Sequence, residues 1–154
     1  MKMKELFDRG EFVVSAEVGP PKGIHVDELV EEAKTYVDAT GVNALAILVG
    51  TAHGRYKKAP KLDIQRIADI HSAVDAHLVL HGGSGVPDDQ IQAAVKAGIR
   101  KINFGTDVCY SFLDQVFATS RDLVAIDLFM KDAIANVKKF GLEKIRLLGA
   151  ENKA

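Results

Sequence analysis

Short apolar runs alternate with stretches of helical period, and the alternation repeats four times in 154 residues. Glu11–Val18 (EFVVSAEV) reads as a strand stopped by Gly19-Pro20-Pro21. Val26–Ala39 then carries Val26, Leu29, Val30, Ala33, Tyr36 and Val37 on one helical stripe, and Gly41 breaks it. Ala44–Val49 (ALAILV) is apolar on both faces, as a strand must be when helices cover one side and a core the other. A helix marked by Leu62, Ile64, Ile67, Ala68, His71 and Val74 follows, then a short strand at His77–Leu80. Pro87, Asp88 and Asp89 open a third helix, Gly98 ends it, and Arg100–Phe104 is the fourth strand. Thr106-Asp107 is expected to cap the next helix, which carries Val108, Phe112, Leu113, Val116 and Phe117. Two further helical stretches, about Asp122–Lys139 and Glu143–Leu148, close the chain.

Serial βα units imply a parallel sheet in an α/β fold. An eight-stranded (β/α)8 barrel takes about 250 residues, seldom fewer than about 200. The chain therefore holds half a barrel. An open half-barrel exposes two strand edges and its inner face, so either two copies pair as a homodimer or the sheet flattens into a doubly wound arrangement. Pairing is the expectation favoured. No linker or composition shift divides residues 1–154, which read as a single α/β domain.

Composition narrows the function. A net charge of -1 provides no basic field for nucleic acid. The longest apolar stretch, Val42–Val49, falls far short of the roughly 20 residues that span a bilayer. The charged start Met1–Arg9 has no secretory character, and one cysteine excludes an intramolecular disulfide, so a cytoplasmic location is expected. Cys109 and the set Phe112, Phe117, Phe129 and Met130 are expected to be core residues. His25 and His71 are expected to be surface or helix-capping residues, and His77 to lie at the far end of its strand from any site.

In parallel α/β folds the carboxyl ends of strands build the site. Glu17, His53, His81 and Asn103 occupy those ends in order. His53 in Gly-Thr-Ala-His-Gly and His81 in Leu-His-Gly-Gly-Ser-Gly are each followed by glycine. Two neutral imidazoles at neighbouring strand ends suit a shared divalent metal such as zinc; either histidine could instead pack and donate one backbone hydrogen bond. Gly82-Gly83-Ser84-Gly85 leading to a helix start has the physics of a phosphate cradle, with Gly105 and Thr106 supplying a second set of amides and a hydroxyl. Arg55 and Lys57 could add positive charge, or simply belong to a solvated loop.

Together these motifs are specific. GVNALAILVGTAHGRYK, PKLDIQRIADI, LVLHGGSGVPDDQI and GIRKINFGTD, with the closing AIDLFMKDAIANVKKF and EKIRLLG, resemble the C-terminal half of class II, metal-dependent fructose- or tagatose-bisphosphate aldolases from about residue 40 onward. The resemblance implies a (β/α)8 barrel that reversibly cleaves a ketose bisphosphate to dihydroxyacetone phosphate and an aldehyde, the metal stabilising the enediolate. It implies that His53 and His81 are two of three metal histidines. It further implies that Gly54, Lys57, Gly82, Ser84, Gly105 and Thr106 surround the sugar phosphate, that Asn103 contacts the reacting carbons, and that Asp107 bonds nearby backbone.

The departures weigh equally. The third metal histidine and the catalytic aspartate beside it belong to earlier strands of that family, and no Asp-His pair occurs in these 154 residues. The first 25 residues resemble instead the N-terminal strand of methylenetetrahydrofolate reductases, which ends in a glutamate matched by Glu17; VSAEVG also aligns with the aldolases' own fifth strand. A chimera of two barrels is one origin, a natural truncated protein the other. The expected function is a half-barrel that keeps a phosphate cradle for dihydroxyacetone phosphate or a phosphate or sulfate ion and holds Zn2+ weakly through His53, His81 and Glu17, with little or no turnover. The alternatives are a structural chimera without ligand and a working oligomeric aldolase in which Glu17 or a second subunit replaces the missing groups.

Overall fold

The computed structural model describes residues 3–18, 26–51, 54, 56 and 58–153. Its elements run α1 (Met3–Asp8), β1 (Ser15–Val18), α2 (Val26–Thr40), β2 (Ala44–Ile47), α3 (Ile64–Ala73), β3 (His77–Leu80), α4 (Asp88–Ala97), β4 (Ile99–Ile102), α5 (Thr106–Ala118) and α6 (Ile126–Leu147). The four strands form one parallel sheet in the order β1-β2-β3-β4. This is the expected α/β architecture, half of an eight-stranded barrel.

Side-chain alternation along the strands divides the sheet. Leu45, Ile47, Leu78, Leu80 and Ile99 point into a core with Ala33 and Val37 of α2, Ile67 and Ile70 of α3, and Ile91 and Ala94 of α4. Those three helices pack neighbour to neighbour along that face. Each fully buried Leu or Ile contributes roughly 1.5–3 kcal/mol of transfer free energy, so this one-sided core is the main source of stability. Ala44, Ala46 and Val79 form a separate small cluster on the opposite face. Small side chains there leave a hollow of about 400 Å³ bounded also by Phe7, Ser15, His81 and Lys101. Because α2, α3 and α4 share one face, the flattened, doubly wound alternative is not what forms.

One irregularity decides which β4 residues meet the hollow. Leu78 pairs with Ile99 but Val79 pairs with Lys101, so Arg100 is the extra residue of a bulge. An inserted residue moves everything after it to the other face. Lys101 thereby joins the row of Val79, and its Nζ donates to Asn103 Oδ1 at 2.6 Å. In a regular strand Lys101 and Asn103 would instead lie on the core face with Ile99.

Several sequence expectations are corrected. Residues 126–147 form one helix rather than two, with Gly141 inside it, because the apolar stripe continues through that position. The cap of α5 is Gly105, with no side-chain capping bond; Thr106 starts the helix and Asp107 is engaged elsewhere. Cys109 is exposed and Phe117 is 81% exposed, so neither belongs to the core. Their helix packs chiefly on α6, which leaves its outer face to solvent. The short helix α1, whose Leu6 is buried, had no periodic signal over so few residues. His71 is exposed on α3, as expected, whereas His25 lies outside the described residues.

Leu80 is fully buried between the sheet and its helices. Leu80→Ala is expected to cost about 2–5 kcal/mol. Urea unfolding followed by circular dichroism checks this; the midpoint should fall with the slope unchanged, and an unmoved midpoint would contradict the assigned core.

Candidate functional site

Parallel pairing brings the carboxyl ends of all four strands to one rim. Past the last paired residues of β3 and β4 the ladder continues: the Asn103 amide donates to Leu80 O at 3.1 Å, and the Gly83 amide donates to Asn103 O at 3.0 Å. These bonds hold the loop after β3 against the loop after β4. A Cβ on Gly83 would sit 3.1 Å from Asn103 O and closer still to the Ile102 side chain, so this approach requires glycine.

The two loops are also tied by side chains. Ser84, only 4% exposed, accepts the Asp107 amide on its Oγ at 3.1 Å. Asp107 returns the contact, its Oδ2 accepting the Gly85 amide at 3.0 Å. Asp107 therefore bonds nearby backbone. Tyr56 braces the assembly from a third loop: its hydroxyl donates to Gly82 O at 3.0 Å, and its ring would lie 3.1 Å from a Cβ on Gly85, which has φ +74°.

That third loop follows β2 and is pinned at its base. The Asp63 amide donates to Val49 O at 3.0 Å. Gln90 of α4 accepts the Leu62 amide at 2.7 Å and donates to Pro60 O at 3.1 Å. Gly50, with φ +100°, could not carry a Cβ without striking Lys61 O.

The arrangement refines the cradle expected from the glycines. The amides of Gly83 and Gly85 are already spent inside the protein. Among the described residues, the amides of Ser84, Gly105 and Thr106 make no hydrogen bond, and those of Gly105 and Thr106 belong to the helix start, where backbone donors and the helix dipole favour an anion. His81 stands at the end of β3 and lines the inner hollow with Lys101. Gly54 is described, with φ +97°. His53 and Lys57 lie outside the described residues, and for Glu17 only the backbone position, paired with Ala46, is described. Among the described residues no three His, Cys, Asp or Glu side chains could hold a metal together. His81 alone is too small a donor set, so no chemical step through a metal follows from these side chains.

Sequence reasoning missed Tyr56 and Gln90, which shape the site without chemistry of their own. Neither carries a local signal: a tyrosine in a loop and a glutamine in the first turn of a helix show their roles only once three loops converge.

Comparison with known proteins identifies the lineage. Residues 8–153 match the family model described as fructose-bisphosphate aldolase class-II, and the chain belongs to that family. The match includes β1, so it runs through most of the segment that resembles the reductases. Among solved structures, the YdjI aldolase from Escherichia coli K12 is 29% identical with a TM-score of 0.77, over 98% of this chain and 53% of that one. A putative fructose-1,6-biphosphate aldolase from Coccidioides immitis shares the fold at 23% identity and TM-score 0.77, over 96% of this chain and 55% of its own. Fructose-bisphosphate aldolase from Campylobacter jejuni does so at 19% identity and TM-score 0.76, over 96% and 54%. This chain spans about half the length of the structures it matches.

Replacing the nearly buried Ser84 by Ala removes the acceptor of the part-buried Asp107 amide. Ser84→Ala is expected to lower stability by about 1–3 kcal/mol and to speed hydrogen exchange at Asp107 and Gly85, as followed by NMR. Unchanged exchange at both amides would contradict the coupling of the two loops.

Proposed function

We propose that this half-barrel binds the phosphate end of a three-carbon sugar phosphate such as dihydroxyacetone phosphate and turns over ketose bisphosphates little or not at all. The observation that supports the reading is the locked pair of loops, Gly82–Gly85 and Gly105–Thr106, with three amides at the rim of the sheet that make no hydrogen bond among the described residues. Thr106 adds its hydroxyl, and Lys57 supplies charge. Asn103, oriented by Lys101, is the group nearest in kind to a contact for the carbon skeleton.

Weak activity follows from what the residues lack. Aldol cleavage needs a proton-transfer group, whose loss costs typically 10²–10⁴ in rate. His53 and His81 with Glu17 make at best a depleted zinc site, and a missing partner commonly costs 10–100-fold in metal affinity. Zinc binding is accordingly weak in this reading, and Glu17 is a replacement carboxylate rather than an equivalent one. The reading also takes residues 1–154 as one domain, working as a pair of copies in a reducing, cytoplasmic setting that the exposed Cys109 suits. Among the described residues no helix is long and apolar enough to cross a membrane. The recombined origin rests on the first segment alone.

Isothermal titration with dihydroxyacetone phosphate and with inorganic phosphate tests the proposal. Saturable heat from both is expected, reduced severalfold in Thr106→Ala, with a small separate response to zinc that His53→Ala abolishes. A flat trace for both anions would sink the binding reading and leave a purely structural module. In a coupled assay on fructose 1,6-bisphosphate the expected trace is near background; robust turnover lost in His53→Ala would replace this reading with a working aldolase.

A further inference from the structure

Both loops of the cradle share a neighbour on the closing helix. Lys144, on α6, donates from Nζ to Asp88 Oδ1 at 3.0 Å. The same ammonium stands 5.4 Å from the centre of the Phe104 ring and 5.7 Å from that of Phe140. The two rings meet edge to face, 6.3 Å apart at 79°. Asp88 is the first residue of α4, the helix that the Gly82–Gly85 loop leads into. Phe104 lies between Asn103 and Gly105 in the loop after β4. One cation therefore touches the continuation of one loop and a member of the other.

Phe104 passes this contact to the rim. Its Cε1 would stand 3.2 Å from a Cβ on Gly83, whose own amide donates to Asn103 O. A ring edge packed so near a glycine leaves the loop after β3 no room to shift toward it. The ring also packs against the apolar core beneath the sheet. Only 21% of the Lys144 side chain is exposed, against 66% of Asp88. An ion pair with so exposed a carboxylate adds little stability by itself. The largely buried ammonium beside two rings is the stronger element of the cluster.

We infer that Lys144 is a positioning residue for the anion cradle: by holding Asp88 and Phe104 together it fixes the gap between the loop after β3 and the loop after β4, and with it the spacing of the Ser84, Gly105 and Thr106 amides. This rests on the reading above that those amides take a phosphate. The bonds among Ser84, Gly85 and Asp107 tie the loops through their own residues. Lys144 ties them from a helix that otherwise packs chiefly on α5. The closing helix thereby acquires a part in ligand affinity. Donors held in place lose less freedom when an anion binds, and a loosened pair of loops binds it more weakly.

Calorimetric titration of the full chain with inorganic phosphate is the test. Lys144→Met keeps an apolar stem and removes the cation; it is expected to weaken binding about fivefold. Lys144→Arg, which can serve both a carboxylate and an aromatic face, should stay within about twofold of wild type. Phe104→Leu leaves every charge in place and should cause a loss similar to that of Lys144→Met. In the double variant the two losses should not multiply, because the lysine acts through the ring. Circular dichroism verifies folding of each, with Lys144→Gln and Phe104→Met in reserve if either first choice does not fold. Undiminished affinity in Lys144→Met overturns the inference. So do losses that multiply in the double variant, which would mean that Lys144 acts on the anion by its own charge. A loss in Lys144→Arg equal to that in Lys144→Met overturns it too. A wild-type chain that gives no heat overturns the phosphate reading and this inference with it, whereas equal binding by wild type and Lys144→Met overturns this inference alone.

Discussion

The pair of hydrogen bonds between Ser84-Gly85 and Asp107 is what the rest of the rim depends on. One hydrogen bond runs from the Asp107 amide to the Ser84 hydroxyl, the other from the Gly85 amide to the Asp107 carboxylate. They convert two flexible glycine-containing loops into one surface. Every other feature of the site is referred to that surface: Tyr56 presses on it from the loop after β2, Asn103 reaches it through the extended ladder, and the amides left over are defined by those already consumed. An acceptor placed on a buried hydroxyl and a charged acceptor on a glycine amide are both contacts that water would otherwise have to supply. Rigidity here means that the remaining donors hold their positions before an anion arrives.

Beneath the rim, the fold is a one-sided compromise. Helices α2, α3 and α4 bury the large aliphatic residues of the strands. The buried residues at the middle of the inner face are two alanines and a valine, too small to fill a barrel interior from one side. A complete barrel fills that space with side chains from all eight strands. Here the layer is half present, and the chain covers about half of each related structure. Family membership and incomplete interior are two expressions of the same architecture.

Much of this was legible from residue order. Alternating apolar runs located all four strands to within a few residues, since period-2 and period-3.6 patterns separate cleanly when each element is short. The motifs around His81, Gly82–Gly85 and Gly105–Thr106 pointed to one rim, because parallel topology leaves strand ends no other place to go. Errors came where packing, not pattern, decides. Cys109 and Phe117 sit on an amphipathic stripe, but their helix leans on α6 rather than on the sheet and leaves them in solvent. Two closing helices were expected, about Asp122–Lys139 and Glu143–Leu148, yet α6 runs unbroken through Gly141, whose cost is offset by the neighbouring turns.

Residue order by itself determined the α/β class, the parallel sheet, the four strands of these residues and the aldolase lineage. These follow from hydrophobic period, chain length and motif identity, which are local quantities. Only the tertiary structure decided which side chains share a face. A single bulged residue, Arg100, turns Lys101 and Asn103 away from the core and toward the hollow, and Tyr56 and Gln90 acquire their parts through loops 26 to 30 residues distant. Strand pairing sets such facts through hydrogen-bond register between segments, and nothing in the residues of one strand encodes how its neighbour will be aligned.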